Sequence, residues 1–283
     1  MNARTSPGAN LRALAERGLV VAVGAFNPFV ARLVESEGFG AVYVSGAALS
    51  NAQAVPDEGL LARTDVLRVT REIVKAVSAP VIVDVDTGFG GPKGVARTVE
   101  LFEAAGAAAV QIEDQDPRYK RCGHLEGKRL IARERMAEKV RAAVRAKRGR
   151  DFLVIARTDA RAVEGFEGAV ARAQAYRAAG ADAVFPEALT SREEFADFRE
   201  KVPGLLVANM TEFGKTPWIS DDDFSQLGYR IVLHPATTFR LAAQALREGL
   251  ASMRQHGNQE LLVQSGRLMT RPEIDRYLIT GRE

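Results

Sequence analysis

The sequence predicts an α/β chain closed into one (β/α)8 barrel of the TIM type, and three observations carry that prediction. Short, nearly all-apolar runs recur along the 283 residues, at 19–25, 41–44, 81–85, 109–112, 153–156, 183–185, 205–208 and 231–233. Runs this short and this apolar are what parallel strands buried on both faces look like. The segments between them carry apolar residues at helical spacing, most clearly 64–77, 95–105, 133–147 and 167–179. The residues able to do chemistry fall at the ends of the runs, and the carboxyl ends of parallel strands are the working face of such a barrel. This repeated alternation favours closure over a doubly wound open sheet, the alternative reading.

In chain order, residues 1–10 read as frayed and 11–17 as a short helix leading into the first run. Thr64 reads as the N-cap of the helix after it. Ala-Gly-Ala follows two helices, at 105–107 and 179–181, which places Gly106 and Gly180 where helices terminate. Beyond the eighth run, 237–255 reads as one long helix, and the remainder as further helix outside the barrel or against a neighbour. No linker-like composition divides the chain, so 1–283 reads as a single domain.

An apolar content of 46% supplies a sizeable core, and a net charge of +3 with basic residues spread through helices argues against nucleic acid. One cysteine excludes an intrachain disulfide framework and fits a reducing compartment. No apolar stretch follows the first charge at the N-terminus, so no secretory leader is expected. No apolar run approaches the roughly 18 residues of a membrane span. These features predict a soluble, cytoplasmic protein.

The stretch Lys120-Arg121-Cys122-Gly123-His124 organises the rest. A free thiol titrates near about 8.5, and neighbouring cations lower it by favouring the thiolate. Two cations before Cys122 and an imidazole after it predict such a lowering, with Gly123 admitting close approach. The plain alternative is a basic surface loop with an incidental cysteine. The run ends strengthen the functional reading. They carry Ser45 and Gly46, Asp84 and Asp86, Glu113 and Asp114, Arg157 and Asp159, Glu187, Asn209, and His234.

A rim of carboxylates, arginine and amides in one barrel mouth is a site for a polar, anionic small molecule. Strand alternation would point Asp84 and Asp86 the same way, and two such carboxylates call for a counter-cation. Oxygen ligands suit Mg²⁺ or Mn²⁺, with Glu113 completing the shell through water. One paired carboxylate and one helix cap is the alternative. Arg157 presents a planar fork for a carboxylate, or else pairs internally with Asp159 or Glu187. His234 is as well suited to a structural role as to a functional one. No lysine lies inside a run, which argues against imine chemistry and for metal-stabilised chemistry. The glycines of Gly88-Phe89-Gly90-Gly91 lack the spacing of a nucleotide-binding loop.

Over roughly residues 10–275 the chain resembles the isocitrate lyase/phosphoenolpyruvate mutase superfamily. The resemblance rests on Tyr43-Val44-Ser45-Gly46, Asp84-Val85-Asp86-Thr87-Gly88-Phe89-Gly90, Ile112-Glu113-Asp114-Gln115 and the Lys120–His124 stretch. Ala156-Arg157-Thr158-Asp159-Ala160, Phe185-Pro186-Glu187 and Asn209-Met210-Thr211-Glu212-Phe213-Gly214 extend it. It implies Asp84 and Asp86 as a Mg²⁺ site, and Ser45, Gly46 and Ala47 as a backbone cradle for a pyruvate-like carboxylate. Cys122 matches the catalytic acid/base, and Gly123, His124, Asn209, Thr211, Arg240 and Arg271 match a succinate-side pocket. Arg157 and Glu187 match polar groups at the reacting centre, and Asp57 is a retained site carboxylate.

Phe185, Leu233 and Pro235 match the apolar residues that the methylisocitrate-cleaving branch places around its extra methyl. The implied activity is Mg²⁺-dependent cleavage of the tricarboxylate 2-methylisocitrate to pyruvate and succinate in propionate catabolism, the methylcitrate cycle. A homo-oligomer, a tetramer, is implied with it. Tyr43, just before the cradle, is the candidate base for the substrate hydroxyl. The competing expectations are a related lyase or hydrolase acting on isocitrate, dimethylmalate or oxaloacetate, a Cys122–His124 hydrolase, and a non-catalytic binding barrel.

Overall fold

Eight parallel strands, β1 (Val20–Gly24), β2 (Ala41–Val44), β3 (Val81–Asp84), β4 (Ala109–Glu113), β5 (Leu153–Thr158), β6 (Ala183–Pro186), β7 (Leu205–Asn209) and β8 (Ile231–His234), close into a barrel in sequence order. The seam pairs β1 with β8 from Val20–Ile231 to Val23–His234. The computed structural model describes residues 5–278. Residues 1–4, part of the frayed and leader-free N-terminal reading, and 279–283, the end of the C-terminal segment, lie outside the described residues.

Both strand faces are covered, which is why the strands read as continuous apolar runs. Val42, Val83, Val110 and Val154 pack outward with Ile73, Phe102 and Met136 of the helices. Ala22, Tyr43, Ile82, Ile155, Phe185 and Leu233 fill the interior. Five strands outrun their apolar runs. Glu113, Thr158, Pro186, Asn209 and His234 are last residues of strands, because the backbone ladder is indifferent to side-chain polarity. The sheet itself therefore holds Glu113, Arg157 and Asn209.

The N-terminal helix begins earlier than expected, at Pro7, so residues 7–10 are not frayed. Ser6 Oγ accepts from the Ala9 N–H, and proline at the first helical position needs no donor partner. Leu11 and Ala15 of this helix join the interior cluster. Thr64 is not the cap predicted for it. The helix Arg63–Ala76 starts after Ala62, and the Asp65 carboxylate reaches back to the Ala62 N–H at 2.9 Å. Gly106 and Gly180 end their helices at φ +91° and +99°, as expected.

The last long helix, Thr237–His256, is 20 residues, about 30 Å, and has no buried residue. Glu260–Gln264 and Arg271–Asp275 follow it. Among the described residues, no helix is long and apolar enough to cross a membrane.

Among the described residues, the non-glycine residues with positive φ are Ala54, Asp86, Phe89, Ala188 and Phe213. All five lie in segments leaving carboxyl ends of strands. Backbone strain of this kind costs on the order of 1–3 kcal/mol per residue and gathers where function fixes geometry.

Candidate active site

A cavity of about 400 Å³ opens at the carboxyl ends of the strands. It brings together most of the residues singled out from sequence. Tyr43, Ser45, Ala47 and Asp57 line one side, Asp84, Glu113 and Arg157 the floor, and Cys122, Gly123 and His124 come from the loop after β4. Phe185, Glu187, Asn209, Thr211, Leu233, Pro235 and Arg240 complete the wall. Gly46 joins through its N–H, 3.3 Å from Asp84 Oδ2. Arg271 does not come to the cavity. It sits beyond the long helix with its side chain 91% exposed, 3.8 Å from Asp275.

Carboxylate oxygens of Asp84, Asp86 and Glu113 all lie within 4.8 Å of one another. The predicted convergence holds, but not through strand alternation. β3 ends at Asp84, and Asp86 is turned in by a left-handed backbone, φ +48°, with its N–H donated to Asp84 Oδ1 at 2.9 Å. Glu113 offers its oxygen in the same cluster. Glu113 Oε1 is buried without a hydrogen-bond partner, and Asp86 Oδ1 has only the Lys120 ammonium, at 2.8 Å. Burial, with Asp86 beside it, pushes Asp84 up to about 6, and burial raises Glu113 well above the carboxylate range. An orphaned acceptor in a crowded, desolvated acid cluster fits a hard divalent cation with oxygen ligands.

Lys120 reaches into this cluster. Its ammonium pairs with Asp57 and stands 2.8 Å from Asp86 Oδ1. The Arg121 guanidinium turns outward to the Glu126 carbonyl. Neither cation is therefore free to act on the thiol, and the expected lowering of Cys122 is overturned. Burial raises the half-buried thiol, helped by Asp57 and Glu187, against the His124 N–H and Arg157, which lower it. Such a thiol keeps its proton at neutral pH. Gly123 is required by close approach, since a Cβ there would lie 2.3 Å from Arg157 Nη2. His124 Nδ1 accepts from the Lys215 N–H at 3.1 Å, so a neutral ring carries its proton on Nε2, 3.2 Å from Glu187 Oε1.

Arg157 makes the internal pairs weighed as its alternative while still facing the cavity. Its fork holds Asp159 at 2.9 and 3.0 Å, its Nη1 lies 3.1 Å from Glu187, and its guanidinium lies 5.2 Å from the Phe185 ring centroid. Asn209 Nδ2 donates to Glu187 at 3.3 Å. Arg240 lies 3.4 Å from Glu212 and stacks over Phe213.

Tyr43 is in place, but not as a base. Its hydroxyl donates to Gln111 Oε1 at 2.7 Å, and burial beside Asp84 raises the phenol well above its usual range. A phenol so held donates hydrogen bonds and takes up no proton.

Asp114 and His234 are not cavity residues. Asp114 is buried behind the site, accepting from Thr158, Tyr176 and the Asp159 N–H, and His234 pairs with Asp221 at 3.1 Å. Sequence reasoning missed Gln111 and Lys128. Gln111, polar inside an apolar run, was a visible signal, whereas nothing marked Lys128.

A family model described as phosphoenolpyruvate phosphomutase matches residues 11–254. The chain is 53% identical to a 2-methylisocitrate lyase of Aeropyrum pernix over 269 residues, covering 95% of this chain and 86% of that one. A crystal structure of 2,3-dimethylmalate lyase superposes with a TM-score of 0.90 at 37% identity, covering 97% of this chain and 92% of the other. A phosphonopyruvate hydrolase solved with oxalate and Mg²⁺ gives a TM-score of 0.85 at 34% identity, with 96% and 94% covered.

Proposed function

The chain belongs to the phosphoenolpyruvate mutase/isocitrate lyase superfamily, and from that premise we infer that it is a carbon–carbon lyase cleaving 2-methylisocitrate to pyruvate and succinate. This is the C–C cleavage of the methylcitrate cycle. The observation that carries the reading is one cavity lined by Asp84 and Glu113 of the acid cluster together with the Cys122 thiol.

Asp84, Asp86 and Glu113 would hold Mg²⁺, with Mn²⁺ the alternative ion, as the phosphonopyruvate hydrolase structure supports by likeness. When bound, the ion supplies Lewis-acid stabilisation of charge developing on the α-hydroxy-carboxylate oxygens. Ser45 caps the helix Gly46–Ala52 through the Ala48 N–H, the Gly46 N–H faces Asp84, and the Ala47 N–H between them suits the pyruvate-side carboxylate. His124, Asn209, Thr211 and Arg240 suit the succinate-side carboxylates.

Cleavage needs the hydroxyl proton removed, for which the Glu187 carboxylate in the same cavity is the acceptor the chain offers, and the departing carbon protonated. Cys122 supplies the second proton, for which a thiol that keeps its proton is the right state. Donation leaves a thiolate, which regains a proton from solvent as products leave; run backwards, that thiolate takes the proton from the succinate carbon. Arg157 and Glu187 are the polar groups around the breaking bond, and Tyr43 lines the cavity with its hydroxyl hydrogen given to Gln111.

The chain works on a small molecule, and we further propose that it does so in the cytoplasm as a homo-oligomer, a tetramer by resemblance. Leu241, Leu246 and Leu250, each more than 60% exposed on the long helix, support assembly.

The likeness to 2,3-dimethylmalate lyase favours one second reading, that substrate in the same site. A panel of 2-methylisocitrate, isocitrate, 2,3-dimethylmalate and oxaloacetate with Mg²⁺, with and without chelator, decides. Highest kcat/KM on 2-methylisocitrate, lost on chelation, is expected; a preference for 2,3-dimethylmalate installs the second reading.

A further inference from the structure

We propose that Lys128 is a positioning residue for the Cys122 turn, its buried ammonium joining the Gly123 carbonyl to Asp159 and so fixing where the thiol stands against Arg157. The proposal rests on the reading of Cys122 as the proton donor.

The excursion after β4 is stapled at its base. The Asp116 N–H donates to the Arg129 carbonyl at 2.7 Å, the Ile131 N–H to the Asp114 carbonyl at 3.0 Å, and Gln115 bridges Leu130. Lys128 rises from this fixed base. Its side chain and that of Asp159 are both fully buried, and its Nζ donates to Asp159 Oδ1 at 2.8 Å and to the Gly123 carbonyl.

A buried ammonium needs a counter-charge, but this carboxylate does not depend on Lys128 for its own. Asp159 already receives two N–H groups of Arg157, and its backbone N–H is held by Asp114 at 2.9 Å. The distinguishing contact of Lys128 is therefore the one to the loop. Gly123 lies inside a turn closed by the Leu125 N–H donating to the Cys122 carbonyl at 2.9 Å. Having no side chain, Gly123 can be tied to the barrel only through its backbone. Lys128 makes that tie, and a shift of about 1 Å at a reacting group is enough to cost on the order of 10²-fold in rate.

The test is Lys128→Met, which keeps a linear side chain and removes both bonds, with Lys128→Met/Asp159→Asn as the variant that leaves no unbalanced carboxylate. Three quantities are read on the full chain: the iodoacetamide alkylation rate of Cys122, kcat and KM with Mg²⁺, and the thermal midpoint. The expected result is several-fold faster alkylation and a kcat lower by about 10²-fold, with KM little changed and the fold retained. A folded variant with unchanged alkylation overturns the proposal, and so does loss of the fold in both variants, which would assign Lys128 to the core. Faster alkylation with unchanged kcat supports Lys128 as the anchor of the turn and refutes Cys122 as the proton donor.

Discussion

Lys120 Nζ stands 2.8 Å from Asp86 Oδ1, so the loop that carries Cys122 touches a carboxylate of the proposed metal site. The lysine lies two residues before the thiol and also pairs with Asp57. A divalent cation and a loop ammonium thus address the same oxygen. Two ligands of one group are thermodynamically linked, and each alters the affinity of the other. A divalent cation bound at the cluster would be coupled to loop position through that contact.

Asp86→Ala removes a ligand from the rim while leaving the barrel core untouched. Mg²⁺-dependent turnover is expected to disappear with the thermal midpoint nearly unchanged. Full activity of this variant in the presence of chelator would refute the metal assignment.

Phe185, Leu233 and Pro235 line one wall of the cavity. If they receive the extra methyl, 2-methylisocitrate is preferred over isocitrate by about 1–3 kcal/mol, roughly 10–200-fold in kcat/KM. Equal kcat/KM for the two substrates would remove the methyl pocket.

Cys122→Ser is expected to lower kcat by about 10²–10⁴-fold, the usual size of an acid/base contribution, with little change in substrate affinity. The hydroxyl fills the space but is far too weak an acid. Near-normal turnover by the serine variant would end the proton-donor role.

The pH dependence of Cys122 alkylation follows from its raised thiol. Less thiolate is present at a given pH than for a free cysteine, so the rate at pH 7 is low and climbs beyond the ordinary thiol value. The folded chain holds this proton more tightly than the unfolded one. Stability therefore falls as pH rises above the ordinary thiol value, not below it. Succinate with Mg²⁺ should slow the alkylation by drawing the loop over the ligand. An alkylation rate that levels off below pH 8 would contradict the raised thiol.

The barrel was legible because strands buried on both faces must be apolar along their whole length. Their carboxyl ends stood out where that apolarity stopped. What sequence could not supply was facing. Lys120 and Arg121 adjoin Cys122 in the chain, yet one points into the acid cluster and the other to solvent, so the thiol shifts the opposite way to that expected. Asp84 and Asp86 converge through a left-handed turn that no alternation rule contains. Lys128 and Gln111 find partners 31 and 68 positions away, Asp159 and Tyr43, which local spacing does not reveal. Arg271 matched a motif position, but a helix of 20 residues stands between it and the barrel.

The seam between β1 and β8 makes catalytic competence a property of nearly the entire barrel sequence. The acid cluster comes from β3, the turn after it and β4, Arg157 from β5, Asn209 from β7, and Leu233 from the strand that closes the ring. A nascent chain emerging from the ribosome holds Asp84, Asp86 and Glu113 long before its last strand exists. Until Ile231 docks beside Val20, those carboxylates face a ring that is still open. A chain that stops short of β8 therefore lacks both the closing strand and the Leu233 part of the cavity wall.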